Sequence, residues 1–201
     1  MNCPEFLRRQ RPLALALGLT LLPAVAAAQQ PEPQTDPADQ LLQRAHELAD
    51  RGSWQAAAEL YPLVSDPARV GETAAGEARA RAAIGQYGQA IDTLETLVGE
   101  QYAEWPDQSV QLAELLRETG QSGRALEVLD GLISESITPP VRALVQYGDL
   151  LLYLGRDAEA EPHLEQAIQR YMNGSVFRSE DVAMVALANW RLDRFHEANS
   201  L

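Results

Sequence analysis

The sequence is poor in the residues that form disulfides, sheets and nucleic-acid sites. It contains a single cysteine, Cys3, so it offers neither an internal disulfide nor a cysteine-based metal site. Aromatic residues make up only 6% of the chain. β-Branched residues are sparse beside Ala and Leu, a balance that favours helices over strands. The formal net charge is −13 and no basic stripe occurs, so we expect no nucleic-acid partner.

Catalytic and cofactor-binding motifs are also missing. His46, His163 and His196 lie far apart, and none has the second histidine four residues away that a helical zinc site requires. The sequence has no glycine-rich phosphate loop, Gly-x-Ser-x-Gly elbow or His-Glu-x-x-His motif. We therefore predict that the protein is not an enzyme and that it uses no cofactor or metal.

The first 28 residues have the pattern of a secretory signal peptide. Three arginines precede the apolar run 13–22, and the small residues Ala26, Ala27 and Ala28 follow it. We predict cleavage after Ala28, export to the periplasm or cell envelope, and no membrane insertion after cleavage. The alternative is an uncleaved anchor, which is less favoured because the apolar run is barely long enough to span a bilayer.

Residues 29–37 are predicted to form a disordered linker. This stretch contains Pro31, Pro33 and Pro37 among polar residues and has no apolar period. Ordered structure is expected from Ala38, with Asp36 or Asp39 as the helix cap. Loss of residues 1–28, which carry three arginines and one glutamate, would remove a net +2 and change the charge from −13 to −15.

From residue 38 onward the chain is repetitive. A glycine followed five residues later by an alanine recurs at intervals of 33, 35 and 35 residues, a period typical of helical solenoids. The pairs are Gly52 and Ala57, Gly85 and Ala90, Gly120 and Ala125, and Gly155 and Ala160. We predict that each glycine ends a helix in the left-handed conformation. Each alanine is predicted to lie where the second helix crosses the first.

A fifth unit begins near Ser179, with Asp193 in the place of the glycine and Ala198 in that of the alanine. Two interpretations remain open. The unit is either a single terminal capping helix, which solenoids require, or the start of a further hairpin in a longer protein.

The repeat resembles the tetratricopeptide repeat family over residues 38–201, and the match is best between Leu144 and Ala167. The resemblance implies an all-α, right-handed superhelical solenoid of antiparallel helix hairpins, with four hairpins and a partial fifth. Arg44, Glu77 and Arg81 stand where the family has large apolar residues. The first helix of the second hairpin, expected over 72–83, is therefore the least well defined.

In that family the first helices of the hairpins line a concave groove that holds ligands. The resemblance therefore implies that a protein or peptide segment is the partner. It places on the groove Leu42, His46, Asp50, Arg79, Glu114, Arg117, Val145, Asp149, Tyr153, Leu187 and Trp190, together with Glu72, Ala83, Val110 and Ala183. This wall lacks the cluster of basic residues that would capture a carboxy-terminal carboxylate.

On this analogy we expect a non-catalytic interaction scaffold of the bacterial cell envelope. Two alternatives are an N-terminal targeting module of a longer exported enzyme and a purely structural spacer. A further expectation concerns Met184, Leu187 and Trp190, which recur at helical spacing. Trp190 should stay partly accessible and mark an interface, filled by a docked partner, a second copy or a continuation of the chain.

Aromatic residues also occur in the connection 99–108, where Tyr102 and Trp105 stand before Pro106. They are either an exposed aromatic contact or packing across the junction between hairpins. The second interpretation is favoured.

Overall fold

The computed structural model describes residues 36–99, 101–174 and 179–193, and regular structure within these ranges is entirely helical. The described helices are α1 (Pro37–Asp50), α2 (Trp54–Leu60), α3 (Val70–Ala83), α4 (Tyr87–Val98), α5 (Pro106–Glu118), α6 (Ser122–Glu135), α7 (Val141–Tyr153), α8 (Asp157–Asn173) and α9 (Ser179–Arg191). Two 3-10 turns, Tyr61–Leu63 and Pro67–Arg69, join α2 to α3. The signal peptide, most of the linker and residues 195–198 of the fifth unit lie outside the described ranges, so their assignments remain predictions.

Helix α1 begins at a capped position. The side chain of Asp36 accepts a hydrogen bond of 3.0 Å from the backbone N–H of Ala38, which satisfies one of the free donors at a helix start. Pro37 occupies the first turn, where a missing N–H costs nothing. The helix therefore begins one residue before the expected Ala38, on one of the two predicted caps.

The turns within the hairpins have the predicted left-handed glycines. Gly52, Gly85, Gly120 and Gly155 have φ angles of 75°, 81°, 78° and 72°. At the last of these, Arg156 N donates to Leu151 O at 2.9 Å and Gly155 N donates to Leu152 O at 3.0 Å. This pair of bonds is the Schellman arrangement that ends a helix.

Asp193 takes the glycine position after α9 and has the same backbone conformation, with φ 56°. At this position the fifth unit therefore has the left-handed backbone conformation of the four turn glycines. Aspartate is one of the few residues other than glycine that visits this region.

The crossing alanines are all buried. Ala57, Ala90, Ala125 and Ala160 each have 0% of their surface exposed. Opposite Ala160, a Cβ atom at Gly148 would lie 2.7 Å from Leu164 Cδ2 and 3.4 Å from the carbonyl oxygen of Ala160. Small residues thus let the two helices of a hairpin approach closely.

The core is a series of apolar clusters along the chain. One cluster joins α1, α2 and α3, a second runs from α3 to α7, and a third joins α7, α8 and α9. Their largest fully buried members include Tyr61, Leu94, Leu116, Leu129, Leu144 and Leu164. Each hairpin therefore buries its apolar face against its neighbours, as repeat units must.

Helix α3, which the sequence defined least well, is formed largely by small residues. Gly71, Ala74, Gly76 and Ala78 are buried in it. A Cβ atom at Gly76 would lie 2.5 Å from Tyr61 Cζ, so the phenol ring occupies the space above this glycine. The large apolar side chain that α3 lacks is thus supplied by the preceding hairpin.

The connection before α5 packs against helices on both sides. A Cβ atom at Gly71 would lie 2.6 Å from Trp105 Cζ3, and one at Gly131 would lie 2.6 Å from Tyr102 Cε2. Gln108 Nε2 donates a hydrogen bond of 3.0 Å to Gly71 O. Trp105 therefore packs against α3 and Tyr102 against α6. These contacts confirm the favoured interpretation, which is packing across the junction between hairpins.

Candidate partner-binding surface

The first helices of successive hairpins are linked side by side through polar contacts. His46 Nε2 lies 3.8 Å from a Glu72 carboxylate oxygen between α1 and α3, and Gln111 Nε2 of α5 donates to Ala75 O of α3 at 3.1 Å. Glu114 of α5 pairs with Arg142 of α7 at 2.7 Å. We call the side of α1, α3, α5, α7 and α9 that carries these contacts the first-helix surface.

The alternating charges of this surface are therefore largely internal pairs. Glu114 also accepts a hydrogen bond from Gln146 Nε2, and Asp149 pairs with Arg191 of α9 at 2.6 Å. Such pairs fix the register of neighbouring helices. A ligand would have to break them before it could use their charges.

Two of the predicted groove residues are corrected by their burial. Leu42 is 3% exposed and Val145 is 0% exposed. Val110, at the equivalent position of α5, is 2% exposed. These positions point into the core between helices, and in the first helix the neighbouring Gln43 faces solvent instead. They contribute to the apolar core beneath the first-helix surface and do not line the groove.

The remaining groove residues gather in depressions of the first-helix surface. Arg79 and Glu114 line a depression between α3 and α5, with Ala75, Ala82, Leu115 and Glu118. Arg117, Asp149 and Tyr153 line another, toward α9, with Arg191 and Ser122. Leu187 lies on α9, half-buried against the third core cluster.

The amino-terminal end of the surface surrounds Tyr61. Burial raises the pKa of the Tyr61 phenol, the positive charge of Arg79 lowers it, and Asp50 and Glu72 raise it further. The His46 ring lies 5.6 Å from the Tyr61 ring, centroid to centroid. The predicted residues His46, Asp50 and Arg79 are thus brought together here.

Sequence reasoning missed Glu118, Gln111, Arg142 and Arg191. The repeat itself carries the signal for the first of these: Glu118 stands two residues before Gly120, as Asp50 stands before Gly52 and Tyr153 before Gly155. Gln111 and Arg142 are ordinary surface residue types that become informative only when the neighbouring helix is known.

The carboxy-terminal end of the surface is aromatic. Trp190 is 50% exposed and Tyr153 is 78% exposed, which confirms that Trp190 stays partly accessible. The Arg191 guanidinium lies 4.8 Å from the centre of the Trp190 ring, a cation–π distance. Val185 and Ala188 are buried on the other side of α9, so the helix is docked on α7 and α8 with Trp190 outward.

The basic residues of this chain are of one kind. All 16 are arginines, and the sequence contains no lysine.

Within the described ranges, no three His, Cys, Asp or Glu residues are placed to hold a metal ion. No described helix is long and apolar enough to cross a membrane.

Stacked helix pairs with left-handed turns and buried crossing alanines define a helical-repeat solenoid. No family model and no curated protein matches the sequence, but solved structures match the fold. A thermophilic TPR protein of Thermus thermophilus is 20% identical with a TM-score of 0.58, over 81% of this chain and 87% of that one. A tetratricopeptide repeat protein of Parabacteroides merdae is 15% identical with a TM-score of 0.60, over 81% and 63%. MamA of Desulfovibrio magneticus is 16% identical with a TM-score of 0.55, over 83% and 91%.

The fold is therefore of the tetratricopeptide type, as the repeat pattern predicted. At 15% to 20% identity these similarities establish the architecture alone, because one fold hosts many functions.

Proposed function

We propose that this protein is a non-catalytic scaffold that binds a segment of another protein along the first-helix surface. The observation that carries the proposal is a surface shared by five successive first helices on which exposed side chains are free of core packing. Asp50, Ala83, Glu118, Tyr153 and Trp190 are all exposed there. A row of such side chains on a rigid solenoid offers an extended segment one contact per repeat.

Site-specific photo-crosslinking tests this function. Ala83 is exposed at the last position of α3, so a benzoylphenylalanine there would face a bound segment without disturbing the core. Crosslinked species are expected from Ala83 and not from Glu127, which is exposed on the second helix α6. Equal crosslinking at both positions, or none at Ala83, would contradict a scaffold that uses the first-helix surface.

The cellular location is proposed on the sequence alone. The arginines, the apolar run and Ala26 to Ala28 favour export to the periplasm or cell envelope, with a mature chain that starts at Gln29. Amino-terminal sequencing of exported protein tests this point. Intact Met1 in a membrane pellet would contradict cleavage.

A second candidate function is that of an interaction module in a longer exported enzyme. The half-exposed Trp190 on the last described helix favours it, because a following helix would cover such a ring. An immunoblot of the producing cells distinguishes the two, since the second candidate requires a species larger than the 201-residue chain.

A further inference from the structure

Two pairs of neighbouring residues in this chain have the chemistry for a reaction between a side chain and the backbone. They are Asn173 with Gly174 and Asp130 with Gly131. In such a pair the backbone nitrogen of the glycine can attack the carbonyl carbon of the preceding side chain and close a succinimide ring. Glycine permits the attack best because it has no Cβ atom to crowd its backbone nitrogen. The sequence marks both pairs equally, and the fold distinguishes them.

The Asp130 pair is protected by helix α6. Both residues lie in the interior of this helix, where each backbone N–H donates to the carbonyl oxygen four residues before it. The Asp130 carboxylate accepts a hydrogen bond of 3.1 Å from the Tyr147 hydroxyl, and the Tyr102 ring lies above Gly131. Ring closure at Asp130 would therefore require α6 to unfold first.

The Asn173 pair lies where α8 ends. Asn173 is the last residue of that helix, and both it and Gly174 are exposed. The chain turns out of the helix at Gly174, which has a φ angle of −78° and a ψ angle of 148°. The Gly174 N–H donates to Tyr171 O at 3.2 Å. Helix ends fray at little cost in free energy, so opening of this bond frees the nitrogen for attack.

The other asparagine in the described ranges is protected by burial. Asn189 of α9 is 3% exposed, and its Nδ2 atom donates to Val185 O at 3.1 Å. The next residue is Trp190, whose side chain crowds the nitrogen that would have to attack. Asn189 therefore serves as an internal control for the reactivity of Asn173.

We propose that Asn173 is a site of spontaneous covalent modification, at which the folded protein converts the side-chain amide into a carboxylate. The Gly174 backbone nitrogen loses its proton and bonds to Asn173 Cγ. The Cγ–Nδ2 bond then breaks, and the amide nitrogen takes up a proton and leaves as ammonia. Water opens the succinimide in the last step. Breaking the ring bond at Cγ gives aspartate, and breaking the ring bond at the backbone carbonyl carbon gives isoaspartate, in which the main chain runs through Cβ and Cγ.

Both products alter the junction between α8 and α9. A carboxylate at the last residue of α8 is unfavourable with the dipole of that helix. Isoaspartate also adds a methylene group to the main chain shortly before α9 begins. Helix α9 is docked through the buried residues Val185 and Ala188 and carries Trp190 at the aromatic end of the first-helix surface. The modification therefore acts on the chain segment that leads into this end of the surface.

Peptide mapping of the full chain tests the proposal. Because the chain contains no lysine, trypsin cuts it only after arginines and places Asn173, Asn189 and Asp130 on the separate peptides 171–178, 179–191 and 125–142. After incubation of the folded protein at mildly alkaline pH, mass spectrometry should show at least about tenfold more loss of amide at Asn173 than at Asn189. Isoaspartate, detected by an isoaspartyl methyltransferase, should form at Asn173 and not at Asp130.

A variant and a change of conditions separate the two factors of sequence and fold. Gly174→Val should slow the conversion at Asn173 at least about tenfold, because a β-branched side chain crowds the attacking nitrogen. The backbone angles of Gly174 lie in a region open to residues with a Cβ atom, so this variant should keep the fold. Unfolding the wild-type chain in urea should expose the second pair and produce isoaspartate at Asp130.

Three outcomes would overturn the inference. If Asn173 converts in urea but not in the folded protein, the end of α8 protects it and the site does not exist in the native state. Equal conversion at Asn173 and Asn189 would mean that local structure does not select the site. An unchanged rate in Gly174→Val would refute attack by the Gly174 nitrogen.

Discussion

At the scale of single residues, backbone conformation decides which positions accept a side chain. Gly155 has φ 72°, and a Cβ atom added there would meet nothing within 4 Å. Any loss of stability on substitution therefore comes from backbone strain and not from a clash. Asp193, with φ 56° in the equivalent turn, shows which residue types the turn accepts.

We expect Gly155→Val to lower the free energy of unfolding by about 1–3 kcal/mol, because a β-branched residue is strained at positive φ. Gly155→Asn should cost less, since asparagine tolerates this region. Urea unfolding followed by circular dichroism measures both. Equal stability of wild type and the valine variant would mean that the turn geometry is wrong.

A second residue-scale feature is the half-buried His163 of α8. Its ring meets Tyr147 edge-on at 4.8 Å between centroids, and its Nδ1 atom is buried without a hydrogen-bond partner in the described structure. Burial lowers the pKa of His163, and the nearby Asp130 carboxylate opposes the shift. The folded protein therefore favours the neutral imidazole.

Because the pKa of His163 is lower in the folded chain than in the unfolded chain, its contribution to stability is present at neutral pH. That contribution should be lost as pH falls below about 6.5, the ordinary pKa of histidine. Urea midpoints at pH 7.5, 6.5 and 5.5 should fall more steeply for wild type than for His163→Gln. Parallel midpoints in the two proteins would show that this histidine does not contribute to the pH dependence.

At the scale of elements, glycines inside helices mark where a neighbouring element packs. Helix α6 contains a matched pair. Above Gly131 lies the Tyr102 ring of the preceding connection, whereas a Cβ atom at Gly123 would meet nothing within 4 Å. Neither glycine has a positive φ angle, so only the neighbour differs.

We expect Gly131→Ala to destabilise the protein by about 1–2 kcal/mol, since overpacking outweighs the gain in helix propensity. Gly123→Ala should be neutral or stabilising by up to about 1 kcal/mol. Thermal melts compare the two variants. In a background that carries Tyr102→Ala, Gly131→Ala should destabilise the protein less than it does in the wild type, because the ring that it would clash with is gone. A similar loss of stability in Gly131→Ala and Gly123→Ala would refute the packing explanation.

The elements also show how far the sequence predicts this fold. The hairpin turns and crossings were predictable because each depends on one residue type, such as glycine at positive φ or alanine at a close crossing. Helix α3 was harder to define because the aromatic rings that pack against it come from other elements. Trp105 occupies the space beside Gly71, and Tyr61 occupies the space beside Gly76. Such a contact leaves no periodic signal in α3 itself.

The candidate site was predicted less completely than the fold. The family's groove positions were assigned to this chain by repeat spacing, which placed Leu42 and Val145 on the groove. A step of one residue along a helix turns the side chain by about 100°, and the structure shows that these two side chains face the core. Their apolar character was already consistent with burial. The pairs of Glu114 with Arg142 and of Asp149 with Arg191 depend on how neighbouring helices align, which a single sequence does not specify.

At the scale of the whole molecule, the net negative charge opposes association between two copies of the chain. If residues 1–28 are removed as predicted, the remaining chain carries −15, because these residues contribute a net +2 to the total of −13. Two copies repel each other within a Debye length, about 10 Å at 0.1 M salt. Salt should therefore strengthen self-association through the exposed ring of Trp190.

A variant with Trp190 as its only tryptophan, made with Trp54→Phe and Trp105→Phe, tests self-association directly. Acrylamide should quench its fluorescence strongly at low protein concentration, because half of the Trp190 surface is exposed. If α9 is a self-association surface, quenching should weaken as protein concentration or salt rises, while sedimentation shows dimers. Strong quenching that persists in a monomer at every salt concentration would exclude self-association through α9, leaving Trp190 exposed for a different partner. Weak quenching in a dilute monomer would mean that the ring is already covered within the chain and marks no interface.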